Sequence, residues 1–290
     1  MTIKKGILLS GGTGSRLFPS TKAVNKHLFP VFNKPMIYYP LANFLQANIR
    51  EVLIITNEGE VDLISKLLGD GSHLGISINY AVQKKPSGLP EAFIIGEEFI
   101  NNEPVALNLG DHIFFGQELN KKLPEVTKSS KNTTILSVQT DHPEESGVLC
   151  FNDNNEITSI VEKPKQFISN WIICGLYFYS SGVSEISKNL TPSIRGELEI
   201  TDLISHYLNS KKLDVIKFNE NISWIDAGTP TRILEVGNIL RDLEINQNQY
   251  YGYLEFIALN KGYIGFREYS RQIDKLKGSN YGIVLSSLVA

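Results

Sequence analysis

Apolar positions in the first part of the chain alternate between short continuous runs and helical spacing. Ile3 to Leu9 is almost wholly apolar and stops at Ser10-Gly11-Gly12, the pattern of a buried strand. A loop rich in Gly, Ser and Pro extends to about Pro35. Met36 to Ala47 then carries Ile37, Leu41, Phe44 and Leu45 on one helical side. Further strands are predicted over Glu51 to Thr56, Ile76 to Val82 and Val105 to Leu109. Helices over Gly59 to Leu68 and Pro90 to Phe99 fall between them. From Thr133 the pattern changes: Thr133 to Val138, Gly147 to Phe151, Ile157 to Val161 and Ile172 to Tyr179 read as strands with little helix between. Helices return over Glu199 to Leu208 and Pro230 to Leu243, around a strand from Leu213 to Phe218. After Gln247 only small helical pieces follow, with an amphipathic stretch from Glu268 to Leu276.

This order predicts an α/β fold: a Rossmann-like, mixed but mainly parallel sheet flanked by helices, with a short helical C-terminal appendage. One domain is expected over residues 1–247, in a first half to about 132 and a second from about 133, with 248–290 as the appendage. In open parallel sheets ligands bind at the carboxyl ends of strands. The loops after Leu9 and after Leu109 both leave such ends.

Composition narrows the class. With 42% hydrophobic and 20% charged residues the chain has the material for a core, which excludes a disordered or fibrous protein. A net charge of −3 implies no nucleic-acid partner, so any phosphate binding must be local. Two cysteines, Cys150 and Cys174, make neither a disulfide framework nor a four-cysteine zinc site and read as reduced thiols. The N-terminal apolar run is too short for a signal sequence, and nowhere do about 18 apolar residues run together. The expectation is a cytoplasmic protein that does not enter a membrane.

Leu9-Ser10-Gly11-Gly12-Thr13-Gly14-Ser15-Arg16-Leu17 carries the most chemical information. Glycines after a strand let backbone N–H groups converge on phosphate oxygens. The Walker pattern is excluded because Ser15-Arg16 follows Gly14. The dinucleotide pattern is excluded because Leu17 stands where its third glycine belongs. Arg16 and Lys26 supply cations suited to a polyphosphate, although Lys26 taken alone also reads as a surface cation. Asp111 and Asp226 are candidate carboxylates for a divalent cation; Asp111 follows a strand, and Asp226 is expected in a short turn before a helix. Gly-Asp and Asp-Ala-Gly-Thr are equally good turn or cap sequences.

The pattern L-x-G-G-x-G-x-R-L-x-P from Leu9, then K-x-L-x-P from Lys26 and K-P-M-I from Lys34, resembles the sugar nucleotidylyltransferases, and more narrowly the glucose-1-phosphate thymidylyltransferases. The resemblance continues through Leu109-Gly110-Asp111, Glu162-Lys163-Pro164, the segment Arg195 to Asp202 and Trp224-Ile225-Asp226-Ala227-Gly228-Thr229, and so covers nearly the whole chain. It implies transfer of a nucleoside monophosphate from dTTP or UTP to a sugar-1-phosphate, with Mg²⁺ held by Asp111 and Asp226. Arg16, Lys26 and Lys163 take the catalytic roles. Leu9, Gly11, Gly12, Thr13, Gly14, Ser15, Gln83 and Gly88 form the nucleotide side. Gly147, Glu162, Lys163, Cys174 and Trp224 form the sugar side. The resemblance also implies a homotetramer, in which the C-terminal part serves subunit packing and a regulatory site, and a role in supplying polysaccharide synthesis.

Some positions depart from that family's usual residues. His27 follows the lysine in place of glutamine, and His112 follows the metal aspartate in place of asparagine. Ser146 stands for a tyrosine, and Cys174 for a small residue. Glucose-1-phosphate remains the expected acceptor. The departures keep open an amino or acylamino sugar phosphate, and a further alternative is an inert, regulatory nucleotide-sugar-binding protein.

Overall fold

The computed structural model describes residues 2–128, 131–218 and 221–289. In chain order the elements of the first half are β1 (Lys5–Ser10), β2 (Pro30–Val31), β3 (Lys34–Pro35), α1 (Tyr38–Gln46), β4 (Glu51–Asn57), α2 (Val61–Leu68), β5 (Ser77–Gln83), α3 (Glu91–Ile95), α4 (Glu97–Ile100), β6 (Val105–Leu109), β7 (His112–Phe115) and α5 (Leu119–Lys128). There follow β8 (Thr133–Gln139), β9 (Gly147–Phe151), β10 (Ile157–Glu162), β11 (Trp171–Tyr179), α6 (Val183–Lys188), α7 (Ile200–Asn209), β12 (Leu213–Lys217), β13 (Ser223–Asp226) and α8 (Pro230–Gln247). The C-terminal helices are α9 (Leu254–Asn260), α10 (Phe266–Lys275) and α11 (Asn280–Ser287).

One mixed sheet in the order β10-β9-β11-β6-β1-β4-β5 organises these elements, with β8 and β12 joined to it through β11. The neighbours β6, β1, β4 and β5 are parallel, whereas β11 runs antiparallel to β6, β8 and β9. This is the α/β class the periodicity predicts. The parallel strands are continuous apolar runs because helices cover both faces of the sheet. Leu8 of β1 packs on one face with Ile37, Leu41 and Phe44, and Ile7 on the other with Leu53, Ile55 and Phe93. Each layer buries the alternate side chains of the same strands.

Helix ends follow local chemistry. Thr229 caps α8 by accepting from the Arg232 N–H at 3.3 Å, and Pro230 sits in the first turn, where no N–H is needed. Asn248 ends α8 in the left-handed conformation at φ 54. The helix expected from Pro90 to Phe99 is two pieces, α3 and α4, meeting at Gly96, whose backbone lies against Ile7 and Leu53. The β7–β13 ladder, α5 and α6 are additional to the elements predicted. Among the described residues no helix is long and apolar enough to cross a membrane.

The register places the chemistry. Leu9 pairs with Leu109, so the loops after β1 and β6 begin side by side, and the Gly110 N–H donates to the Leu9 carbonyl at 2.9 Å. In the small β7–β13 ladder His112 pairs with Asp226, while the Ala227 N–H donates to the Asp111 carbonyl at 2.8 Å. Two aspartates distant in sequence therefore meet over the carboxyl ends of the central strands.

Candidate active site

A cleft of about 330 Å³ opens at those strand ends. One wall includes Leu9, Gly11, Gly12, Gln83 and Gly88, which were expected on the nucleotide side, with Arg16 and Lys26 beside Asp111 and Asp226. Glu162 and Lys163 face them from the other wall.

The glycine loop is held by side chains that periodicity does not reveal. Asn57, at the carboxyl end of β4, accepts from the Gly12 N–H at 3.0 Å and donates to the Gly12 carbonyl at 3.0 Å. This two-point clamp fixes a residue at φ 95, a conformation that favours glycine. Asn25 donates to the Ser10 carbonyl at 3.0 Å and to Glu60 at 2.6 Å, tying the Lys26 segment to the end of β1. Thr13 and Ser15 are exposed on this loop, and Thr13, Gly14 and Ser15 lie outside the cleft lining.

The cations and carboxylates form matched pairs. Lys26 Nζ donates to Asp111 Oδ2, and both side chains are largely buried. Burial pushes the Asp111 carboxyl up, but Lys26, with His112 and His27, pulls it well below the usual carboxylate range. Asp226 Oδ2 lies 3.7 Å from Arg16 Nη2 and 3.7 Å from Arg232 Nη1, and Asp226 Oδ1 accepts from the Gly228 N–H at 2.9 Å. Asp226 is the last residue of β13, not part of a turn as the sequence suggested.

Ligand atoms of Asp111, His112 and Asp226 lie within 4.8 Å of one another. The donor set fits a hard divalent cation through its two carboxylates. His112 is a poor ligand here: its Nδ1 accepts from the Gly175 N–H at 2.9 Å and from Trp224 Nε1–H at 3.0 Å. Those two bonds consume the Nδ1 lone pair and leave the proton of the neutral ring on Nε2. Burial favours that neutral form by lowering the His112 pKa. His27 is likewise neutral: burial and then Lys26 push its pKa down to about 3, and its N–H and Nδ1 meet Asn25 Oδ1 at 2.8 and 2.7 Å.

The second wall is built on β10 and the segment before α7. The Lys163 N–H donates to the Ser146 carbonyl at 3.0 Å, which holds Lys163 at φ 43 just after Glu162. Burial raises the Glu162 pKa. Arg195 binds Glu199 through Nε at 3.0 Å and Nη2 at 2.8 Å and lies 3.9 Å from Glu162 Oε1. Arg195, Glu199, Asn57 and Arg232 carried no assigned role in the sequence reading. Arg195 and Glu199 belong to the resembling segment from Arg195 to Asp202, which was an available signal, whereas Asn57 lies one residue beyond the strand expected over Glu51 to Thr56.

The walls are clasped together. The Leu198 N–H donates to the Ser87 carbonyl at 2.8 Å, and Gly88 bridges Leu198 at φ 106, where a side chain would overlap the Leu198 carbonyl. Gln83 donates through Nε2 to Glu91 at 2.6 Å, which leaves its carbonyl Oε1 beside Gly11.

Three residues expected on the sugar side, Gly147, Cys174 and Trp224, lie outside the cleft lining. Gly147 pairs with Glu162 across the β9–β10 ladder. Cys174 is fully buried in the core, its Sγ donating to the Leu136 carbonyl at 3.2 Å. Trp224 lies behind His112, on a neighbouring cavity of about 630 Å³ shared with Trp171 and Phe218.

A glycine loop, paired cations and two converging carboxylates on such a sheet define a nucleotidyl transferase, and the family profile described as nucleotidyl transferase matches residues 5–242. The glucose-1-phosphate thymidylyltransferase of Neisseria meningitidis serogroup A is 42% identical over 285 residues, covering 98% of this chain and 99% of that one. The Mycolicibacterium smegmatis protein of the same name is 38% identical with the same coverage. A Bacillus anthracis chain, described as a glucose-1-phosphate thymidylyltransferase in complex with a sucrose, superposes with a TM-score of 0.74 at 37% identity, covering 82% of this chain and 95% of that one. The chain belongs to the glucose-1-phosphate thymidylyltransferase family, a class of sugar-1-phosphate nucleotidylyltransferases.

Proposed function

We propose that the protein joins the nucleoside monophosphate of dTTP or UTP to glucose-1-phosphate, giving a nucleotide sugar and pyrophosphate, with Mg²⁺ as cofactor. The observation that carries this reading is the pairing of Lys26 with Asp111 and of Arg16 with Asp226 at the mouth of the glycine loop. A phosphate chain entering there offers both cations better-placed anions. Asp111 and Asp226 would hold the Mg²⁺, which neutralises phosphate charge when bound.

The chain's own residues supply positioning and charge. Backbone N–H groups of the glycine loop receive phosphate oxygens, and Arg16 and Lys26 stabilise charge on the α-phosphate and the leaving pyrophosphate. Lys163 holds the phosphate of the sugar, whose oxygen attacks the α-phosphorus, and Glu162 accepts hydrogen bonds from sugar hydroxyls. Gln83 supports a uracil-type base, since an amide complements a carbonyl or an N–H edge. No protein nucleophile is required.

His112 favours a second reading of the acceptor. Its Nε2–H has no protein hydrogen-bond partner among the described residues, and the ring lines the cleft beside Asp111. Such a donor suits a sugar carrying an acceptor group such as an acylamino carbonyl. Rates with glucose-1-phosphate, amino sugar and acylamino sugar phosphates, each against dTTP, UTP, CTP, ATP and GTP, decide between the readings. Glucose-1-phosphate turnover at least equal to every modified sugar sinks the second one. A homotetramer in the cytoplasm completes the proposal; a monomer in light scattering would count against that assembly.

A further inference from the structure

Lys34 is a buried cation that the reaction does not use. It is 2% exposed, at the end of the β2–β3 hairpin, where it pairs with Val31. Its Nζ lies 3.8 Å from the centroid of the Tyr253 ring and 3.5 Å from Glu244 Oε2, and donates to Asn33 Oδ1 at 2.5 Å. Tyr253 stacks on Tyr281 of α11 with ring centroids 4.9 Å apart, and its hydroxyl donates to Glu244 at 2.8 Å. The seat is thus built largely from α8 and the C-terminal region, while the cation comes from the nucleotide side.

The hairpin leads directly to the cleft. The Ile37 N–H donates to the His27 carbonyl and the Met36 N–H to the Phe29 carbonyl, each at 2.9 Å. These bonds tie the flank after β3 to the turn before β2 that carries Lys26, whose ammonium binds Asp111. An apolar residue of similar volume could fill the seat without the desolvation cost of a buried charge. A charge gripped by a ring face and a carboxylate gains a defined position instead. Burial lowers the Lys34 pKa to about 8 against the pull of Glu244 and Glu255, so the ammonium is charged at neutral pH.

We infer that Lys34 is a positioning residue for nucleotidyl transfer: the seat built by α8 and the C-terminal region grips its ammonium and so fixes the hairpin that aims Lys26 at Asp111. The catalytic half of this inference rests on the function proposed above; the mechanical half does not. The test compares full-length wild type with Lys34→Met by peptide-resolved hydrogen exchange and by kcat and KM for pyrophosphate release. Exchange of the Leu28, Phe29, Met36 and Ile37 amides is expected to rise about 10-fold while the β1, β4 and β6 amides keep their protection. kcat is expected to fall about 10-fold with KM for the sugar phosphate changed less than about 2-fold.

Unchanged exchange in that segment, or wild-type kcat in the folded variant, overturns the inference. So does a loss of protection spread evenly over the sheet, which marks a merely structural lysine. Should Lys34→Met fail to fold, Glu244→Gln, which removes the counter-charge and keeps a similar shape, carries the same readouts with an expected change of about 3-fold. A wild type that releases no pyrophosphate with any pair overturns the proposed function, and the exchange comparison still decides the role of Lys34.

Discussion

Replacing Lys26 with Met separates the two tasks of the Lys26–Asp111 pair. The lysine and aspartate side chains are only 15% and 11% exposed, so the variant leaves a buried carboxylate without its counter-ion. Breaking a buried pair costs about 3–5 kcal/mol, and the residual exposure favours the lower end, about 3. At about 2.1 cal/mol/K per residue, a chain of 290 residues unfolds with an entropy of about 0.6 kcal/mol/K. The melting temperature of Lys26→Met should therefore fall by about 5 °C. In the double variant Lys26→Met/Asp111→Asn the stranded charge is gone, and most of that loss should return. Activity should not return, because both groups are proposed to act where the phosphates bind. Calorimetry at pH 7 and pyrophosphate release on the same samples make the comparison. A double variant no more stable than Lys26→Met would refute the reasoning, as would one that recovers turnover.

Two further outcomes follow from the site. His27 is folded in its neutral form with a pKa of about 3 against an ordinary 6.5, so the unfolded chain binds more protons between those values. Its contribution is fully present above pH 6.5 and is lost as pH falls toward 3, with a slope of about 1.4 kcal/mol per pH unit; urea melts across that range should show a steeper slope in wild type than in His27→Gln by about that amount. Gly88→Ala forces a side chain at φ 106 into the Leu198 carbonyl, so the clasp between the walls must open. KM for the NTP should rise about 10-fold with a smaller change in kcat; an unchanged KM would show that the clasp does not shape the nucleotide side.

The layering of the sheet was legible because β1, β4 and β6 are continuous apolar runs ending in polar or glycine-rich turns, which fixes both their burial and the end where ligands gather. The meeting of Asp111 with Asp226 was not legible from pattern. It depends on the β7–β13 ladder, whose strands have four residues each, too short for a period of two to stand out. Only the family resemblance linked the two aspartates. Cys174 shows the opposite difficulty. Both faces of β11 are buried, and its pairing with β8 shifts between Ile173 and Tyr177, so the sequence gives no sign of which face the thiol takes. The clamp of Asn57 on Gly12 is a long-range contact between neighbouring strand ends, visible once the order β1–β4 is known.

Pyrophosphate release with Mg²⁺, dTTP and glucose-1-phosphate, measured in wild type and in Asp111→Asn, tests the central claim most directly. The account predicts release that requires the sugar phosphate and falls at least about 100-fold in folded Asp111→Asn, because two carboxylates are needed where the phosphates meet. Release that continues without any sugar phosphate, or that survives in Asp111→Asn at the wild-type rate, would contradict it.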